Sequence, residues 1–87
     1  MPWVYILKSI KDKRQYIGST INIERRVRQH NNGYVQSTKS RRPLVLMAYE
    51  YFDKIRDAAQ WEKRYKRSHD WLLRKIKSGS VKIVGAK

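Results

Sequence analysis

Cysteine is absent from this 87-residue chain and histidine occurs only twice. Disulfides and thiolate-bound zinc are therefore excluded, and too few ligands remain for a structural zinc site. Acidic residues are also scarce, seven in all. They form no Asp-x-Asp, no Asp-x-x-Glu and no His-Glu-x-x-His pattern, which argues against a two-metal centre built from convergent carboxylates. No apolar run approaches the length of a membrane span, and Met1 to Leu7 lacks the basic region and apolar core of a signal peptide. The expectation is a cytoplasmic protein with no membrane partner. No repeat or low-complexity segment is present, and 40% apolar residues over this length suffice for one domain with a small core.

Basic residues are abundant. Twenty-one Lys and Arg give a formal charge of +14, far more than solubility requires, and a polyanionic partner is the direct implication. Residues 1–50 carry ten basic and three acidic side chains, residues 51–87 eleven and four. The charge belongs to a folded surface rather than to a basic arm. Nucleic acid, DNA foremost, is the expected partner, with an anionic membrane or an acidic protein as the remaining options.

The apolar stretch Trp3 to Leu7 predicts a mostly buried strand, and Gln15 to Gly18 resumes strand character after the polar Lys11-Asp12-Lys13-Arg14. These two pieces read as a β-hairpin, although the usual turn glycine is missing. Asn22 is a natural N-cap for a helix running to about Gln29 or His30, with Glu24 in its first turn and a stop at Asn31-Asn32-Gly33. Tyr34 to Arg42 is a polar, basic loop. Leu44 to Phe52, the longest hydrophobic segment, is expected to be the central strand. Asp53 is expected to cap a second helix over 55–67, and Ser68 or Asp70 to start a third over 71–77. Ser80 to Val84 is either a short edge strand or a loose tail. The sum is an α+β domain with three antiparallel strands and two to three helices.

Glu62 is the acid that stands out, placed on a helix stripe with Ala58, Ala59, Trp61 and Tyr65. It can pair with Lys66 four residues on, or it can be a single carboxylate holding a mostly hydrated Mg²⁺ that also touches phosphate. Tyr5 and Tyr16 fall on the two hairpin strands, Gly18 is small enough to allow close backbone approach to a phosphate, and Arg26 and His30 share a helix stripe. Each of these has an ordinary structural use as well. Lys39, Arg41 and Arg42 suit contacts to backbone phosphates.

At these residues the chain resembles the GIY-YIG nuclease superfamily, in particular the small stand-alone members related to the N-terminal domain of the UvrC excision nuclease. Tyr16-Ile17-Gly18-Ser19-Thr20 is similar to the second half of the signature. Trp3-Val4-Tyr5 is similar to the first, with Trp3 in place of the nominal glycine. Asn22 to Asn31 is similar to the following helix, with Arg26 at the position of the catalytic arginine and His30 at that of its companion. Ser37 to Pro43 is similar to the basic loop before the third strand, and Glu62 falls where the metal-binding glutamate is expected. The resemblance spans about residues 3–77 of a single domain 1–87, with 78–87 as a tail.

It implies a three-stranded antiparallel sheet flanked by helices and a Mg²⁺-dependent DNA endonuclease, with Mn²⁺ as a possible substitute, leaving 5′-phosphate and 3′-hydroxyl ends. The implied catalytic set is Tyr5, Tyr16, Arg26, His30 and Glu62, with Glu62 on the metal and either tyrosine as the base. A phenol with an unperturbed pKa near 10 would need Arg26 or a bound metal to help it ionise. Without a DNA-recognition domain, selectivity would come from DNA structure or from a protein partner, and the chain would act as a monomer or weak homodimer. A catalytically inactive nucleic-acid-binding module, on DNA or RNA, is the alternative reading. A structural protein that uses its Trp61 and Trp71 helix faces as an interface is a third.

Overall fold

In the computed structural model, which describes residues 1–85, four antiparallel strands are arranged in the order β2-β1-β3-β4. The strands are β1 (Trp3–Ser9), β2 (Gln15–Thr20), β3 (Leu44–Tyr51) and β4 (Lys82–Ile83), and the helices are α1 (Ile23–Asn31), α2 (Ile55–Arg67) and α3 (His69–Ser78). The α+β class matches the expectation, with a fourth strand added. The expected alternatives for residues 80–84 resolve into β4, whose two residues pair with Ala48 and Tyr49. Of the expected tail, residues 86 and 87 lie outside the described residues.

The centre of the sheet belongs to β1, not to the 44–52 segment. β1 has full-length neighbours on both sides, whereas β3 has β1 on one side and only the two residues of β4 on the other. The reason is burial on both faces. Val4, Tyr5, Ile6 and Leu7 are all buried, while β3 mixes buried with exposed positions. A continuous apolar run is the mark of a strand covered on both sides, and length alone is a poorer guide.

Both faces of the sheet carry helix. Val4, Ile6 and Ala48 pack with Ala58 and Tyr65 of α2, Leu72 of α3 and Val81. Tyr5, Leu7 and Leu44 pack with Ile23 and Val27 of α1. On the first of these faces a polar group is sealed into the core. Buried Glu50 accepts a hydrogen bond from the Tyr65 hydroxyl and pairs with Lys75 Nζ at 2.8 Å. Lys75 also lies 4.0 Å from the centre of the Trp61 ring, so the cation has an aromatic face as well as a carboxylate.

Local chemistry explains most boundaries. The hairpin closes without glycine because Lys13 takes φ 65°, and Ser9 N–H donates to Arg14 C=O. Asn22 caps α1, its side chain accepting from Arg25 N–H at 3.0 Å, and Gly33 follows the helix at φ 81°. Asp53 does not cap α2. Lys54 holds that position with no side-chain bond, and the Asp53 carboxylate acts instead on Tyr51, whose phenol is raised by desolvation and then by this neighbouring charge. Helix α3 starts at His69, earlier than expected, with Ser68 as its cap residue.

Candidate active site

Tyr5 sits in the middle of β1 with its side chain under α1 and is 1% exposed. Its position depends on Gly18 directly opposite on β2. A Cβ at residue 18 would lie 2.6 Å from the Tyr5 hydroxyl oxygen and 2.8 Å from Cζ, well inside contact distance. The close approach that Gly18 permits is therefore made by Tyr5, and the space over its Cα is filled by that ring.

The helix brings Arg26 and His30, one turn apart, onto the Tyr5 hydroxyl. Arg26 Nε donates to Tyr5 Oη at 3.3 Å, and Arg26 Nη1 donates to Gln29 Oε1 at 3.0 Å. The Tyr5 hydroxyl is 2.9 Å from His30 Nε2, and His30 Nδ1 is 2.7 Å from the Thr38 hydroxyl. His30 and Thr38 are fully buried, so each polar atom needs a partner. Proton accounting gives one consistent arrangement. Tyr5 Oη accepts from Arg26, so its own proton goes to His30 Nε2. The imidazole proton then sits on Nδ1 and goes to Thr38, whose hydroxyl faces the Val35 carbonyl at 3.5 Å.

Electrostatics agree with this assignment. Burial, helped by the Arg26 charge, lowers His30 to about 4 and keeps it neutral at physiological pH. Burial also pushes the Tyr5 phenol up to about 12, the bond from Arg26 opposing only part of that rise. Tyr5 is thus a neutral, fully bonded residue that holds Arg26 in place.

Tyr16 is only half buried, with its ring 4.9 Å from that of His30 and 6.3 Å from that of Tyr5. Across the edge of β2, Glu62 Oε1 accepts from the Ser19 hydroxyl at 2.7 Å, and Oε2 pairs with Lys66 Nζ at 2.7 Å. Lys66 Nζ in turn lies 5.9 Å from the centre of the Tyr16 ring, linking Glu62 to the tyrosine cluster. Tyr5, Tyr16, Arg26 and His30 thus form one group under α1, and Glu62, on the α2 side of β2, is joined to it through Lys66. No set of three or more His, Asp or Glu side chains that could hold a metal occurs among the described residues.

The loop that supplies Thr38 turns its basic side chains elsewhere. Lys39 and Arg42, with Lys11, Asn31, Ser40 and Pro43, line a surface cavity of about 510 Å³. Arg41 is tied to Asp12 at 2.9 Å and also donates to Gln15 C=O. Arg42 donates to Lys39 C=O and lies over Gly33. Three contributors carried no individual signal in the sequence. Thr38 was one hydroxyl within a basic loop, Gln29 one polar helix residue, and Ser19 one member of the Tyr16–Thr20 signature.

The family described as the GIY-YIG catalytic domain matches residues 1–75. A UPF0213 protein of Clostridium perfringens is 39% identical over 84 residues, covering 94% of this chain and 89% of the relative. One from Pediococcus pentosaceus is 33% identical over 87 residues, covering 98% and 90%. The solution NMR structure of a UPF0213 protein from Bacillus halodurans superposes with a TM-score of 0.51 at 30% identity, covering 92% of this chain and 87% of that one.

Proposed function

Because this chain belongs to the GIY-YIG family, we propose that it binds nucleic acid, DNA foremost, and hydrolyses phosphodiester bonds in it with the help of Mg²⁺. The observation that carries this reading is the position of the Arg26 guanidinium, anchored by Tyr5 and Gln29 in the group that contains Tyr16 and His30, with Glu62 reached across β2 through Lys66. A guanidinium has five N–H groups, and two are used by these anchors. The others are available for phosphate oxygens, with the planar fork preorganised for the charge that develops as the phosphorane forms.

The residues around Glu62 fit a single-carboxylate magnesium site. Mg²⁺ keeps most of its waters and is commonly held by one or two carboxylates together with substrate phosphate. Here one carboxylate oxygen is oriented by Ser19, and the other is held by a half-exposed lysine that can swing away. Bound there, the ion would supply positive charge to the departing 3′ oxygen. Tyr16, the less buried of the two signature tyrosines, orients the attacking water, while Tyr5 and His30 fix Arg26. Lys39, Arg42 and Lys11 hold flanking phosphates, and a 5′-phosphate and a 3′-hydroxyl result. A cytoplasmic setting and selectivity for DNA structure, or through a protein partner, belong to the same proposal.

The test is incubation of labelled branched, flapped and linear DNA with Mg²⁺ or Mn²⁺ beside the Glu62→Ala protein. Cleavage by the parent and none by the variant is expected, and equal cleavage by both would reject the reading. A binding module without cleavage is the second reading. It is favoured by the Glu62 carboxylate being engaged on both oxygens, by Ser19 and Lys66, and by the absence, among the described residues, of any group of three or more side chains that could hold a metal. Tight binding with a log K against log salt slope of roughly −5, for about six phosphates contacted, and no cleavage in either metal would select it.

A further inference from the structure

The sheet face that carries Tyr5 also carries aromatic side chains that neither the candidate site nor the core uses. Trp3 lies two residues from Tyr5 on β1, hence on the same face and about 7 Å away along the strand. Tyr51 and Tyr49 stand opposite Trp3 and Tyr5 on β3. Trp3 meets Tyr49 and Tyr51 edge-on, at centroid separations of 5.8 and 5.2 Å. None of the three belongs to either core cluster or packs against one. Trp3 and Tyr49 are half buried, and Tyr51 is 43% exposed.

Burying aromatic rings is strongly favourable, so a cluster of them left at the surface of a small domain marks a contact site. The neighbouring charges indicate its occupant. Asp53 acts on Tyr51, and this disfavours a phosphate at that end of the patch. Exposed Lys82 pairs with Tyr49 on β4, and its long side chain, whose Nζ rests near Gly79, can turn to the phosphate next to a bound base. Flat rings rimmed by a cation, on a chain of net charge +14, are complementary to nucleobases. Duplex DNA hides its base faces inside the stack, and unpaired bases present theirs.

We infer that Trp3, Tyr49 and Tyr51 form a stacking site for unpaired nucleobases, so that the chain engages nucleic acid through single-stranded segments. This rests on the reading of nucleic acid as partner, but not on cleavage. The experiment measures affinity, in chelator and without metal, for an oligothymidylate of about a dozen nucleotides and for a duplex of about the same length. In the Trp3→Leu/Tyr51→Ala protein, single-strand affinity should fall tenfold to a hundredfold, as expected for about one lost stacking contact. Duplex affinity should stay within about twofold. Tyr51→Phe, which keeps the ring, should match the parent. Should circular dichroism show that the double variant does not fold, Tyr51→Ala alone, at an exposed position, should give a loss of about tenfold confined to the single strand. Equal losses on both ligands, no loss on either, or no single-strand binding by the parent would overturn the inference. An inert protein that still discriminates the two ligands would reject the nuclease reading alone, and an active one that does not would reject this inference alone.

Discussion

The two faces of the sheet each bury a tyrosine hydroxyl against an ionisable partner, yet they solve the problem differently. Under α2 and α3, Tyr65 donates to Glu50, and Lys75 neutralises the carboxylate while lying on Trp61. Every charge in that group is matched inside the protein. Under α1, Tyr5 donates to a neutral His30, and the cation that approaches it, Arg26, has only neutral partners among the described residues. A closed network stabilises the fold, whereas a guanidinium anchored by neutral groups keeps its charge for a ligand. Similar residue types therefore give a structural strut on one face and a candidate reaction centre on the other.

Breaking the closed side should produce the largest loss of stability. Glu50→Ala leaves Lys75 without its carboxylate and Tyr65 without its acceptor, so unfolding in urea should show a loss of about 3 to 5 kcal/mol. On the open side, Arg26→Ala should leave urea stability nearly unchanged and lower single-turnover cleavage by about a hundredfold to a thousandfold, or roughly 3 to 4 kcal/mol. Affinity for the same DNA should change little, because one arginine contributes little to so basic a surface. Arg26→Lys should rescue little, since an ammonium lacks the fork. Cleavage by Arg26→Ala within about threefold of the parent would contradict the contrast between the two faces.

The pH dependence of stability sharpens it further. His30 is lowered from an ordinary 6.5 to about 4 in the folded state, so the unfolded chain binds more protons between these values. Stability is then complete above about pH 6.5 and falls as the pH drops toward 4, by up to about 3 kcal/mol. Urea titrations at several pH values should show this loss, and His30→Gln should flatten the profile. A profile unchanged by that substitution would mean that His30 is not the buried titrating group.

Smaller effects test how Tyr5 and His30 are held. Gly18→Ala places a methyl 2.6 Å from the Tyr5 hydroxyl oxygen, which should displace the ring at a cost of about 1 to 3 kcal/mol and reduce cleavage with it. Thr38→Val removes the acceptor for the His30 Nδ1 proton and should cost about 1 kcal/mol, with Thr38→Ser closer to the parent. Nitrogen-15 shifts of the imidazole provide the second readout. They should report protonation at Nδ1 in the parent and a changed ring in Thr38→Val. A parent protonated at Nε2 would reverse the hydrogen-bond direction assigned here.

Local chemistry written along the chain determined the charge and hence the class of partner, the α1 cap at Asn22, its stop before Gly33, the existence of the three helices and the three long strands, and the order of residues that resembles the GIY-YIG signature. Each depends on neighbours within a few positions, through periodicity, capping or turn conformation. Tertiary structure alone decided that β1 is central, that Lys82–Ile83 adds a fourth strand, that Gly18 is small to make room for Tyr5, and that Arg41 is held by Asp12. It also decided what Tyr5 and Glu62 touch, because their partners, His30 and Ser19, lie 25 and 43 residues away. Contacts of that separation are set by how the elements pack, and no local pattern encodes which buried hydroxyl will meet which ring nitrogen or carboxylate.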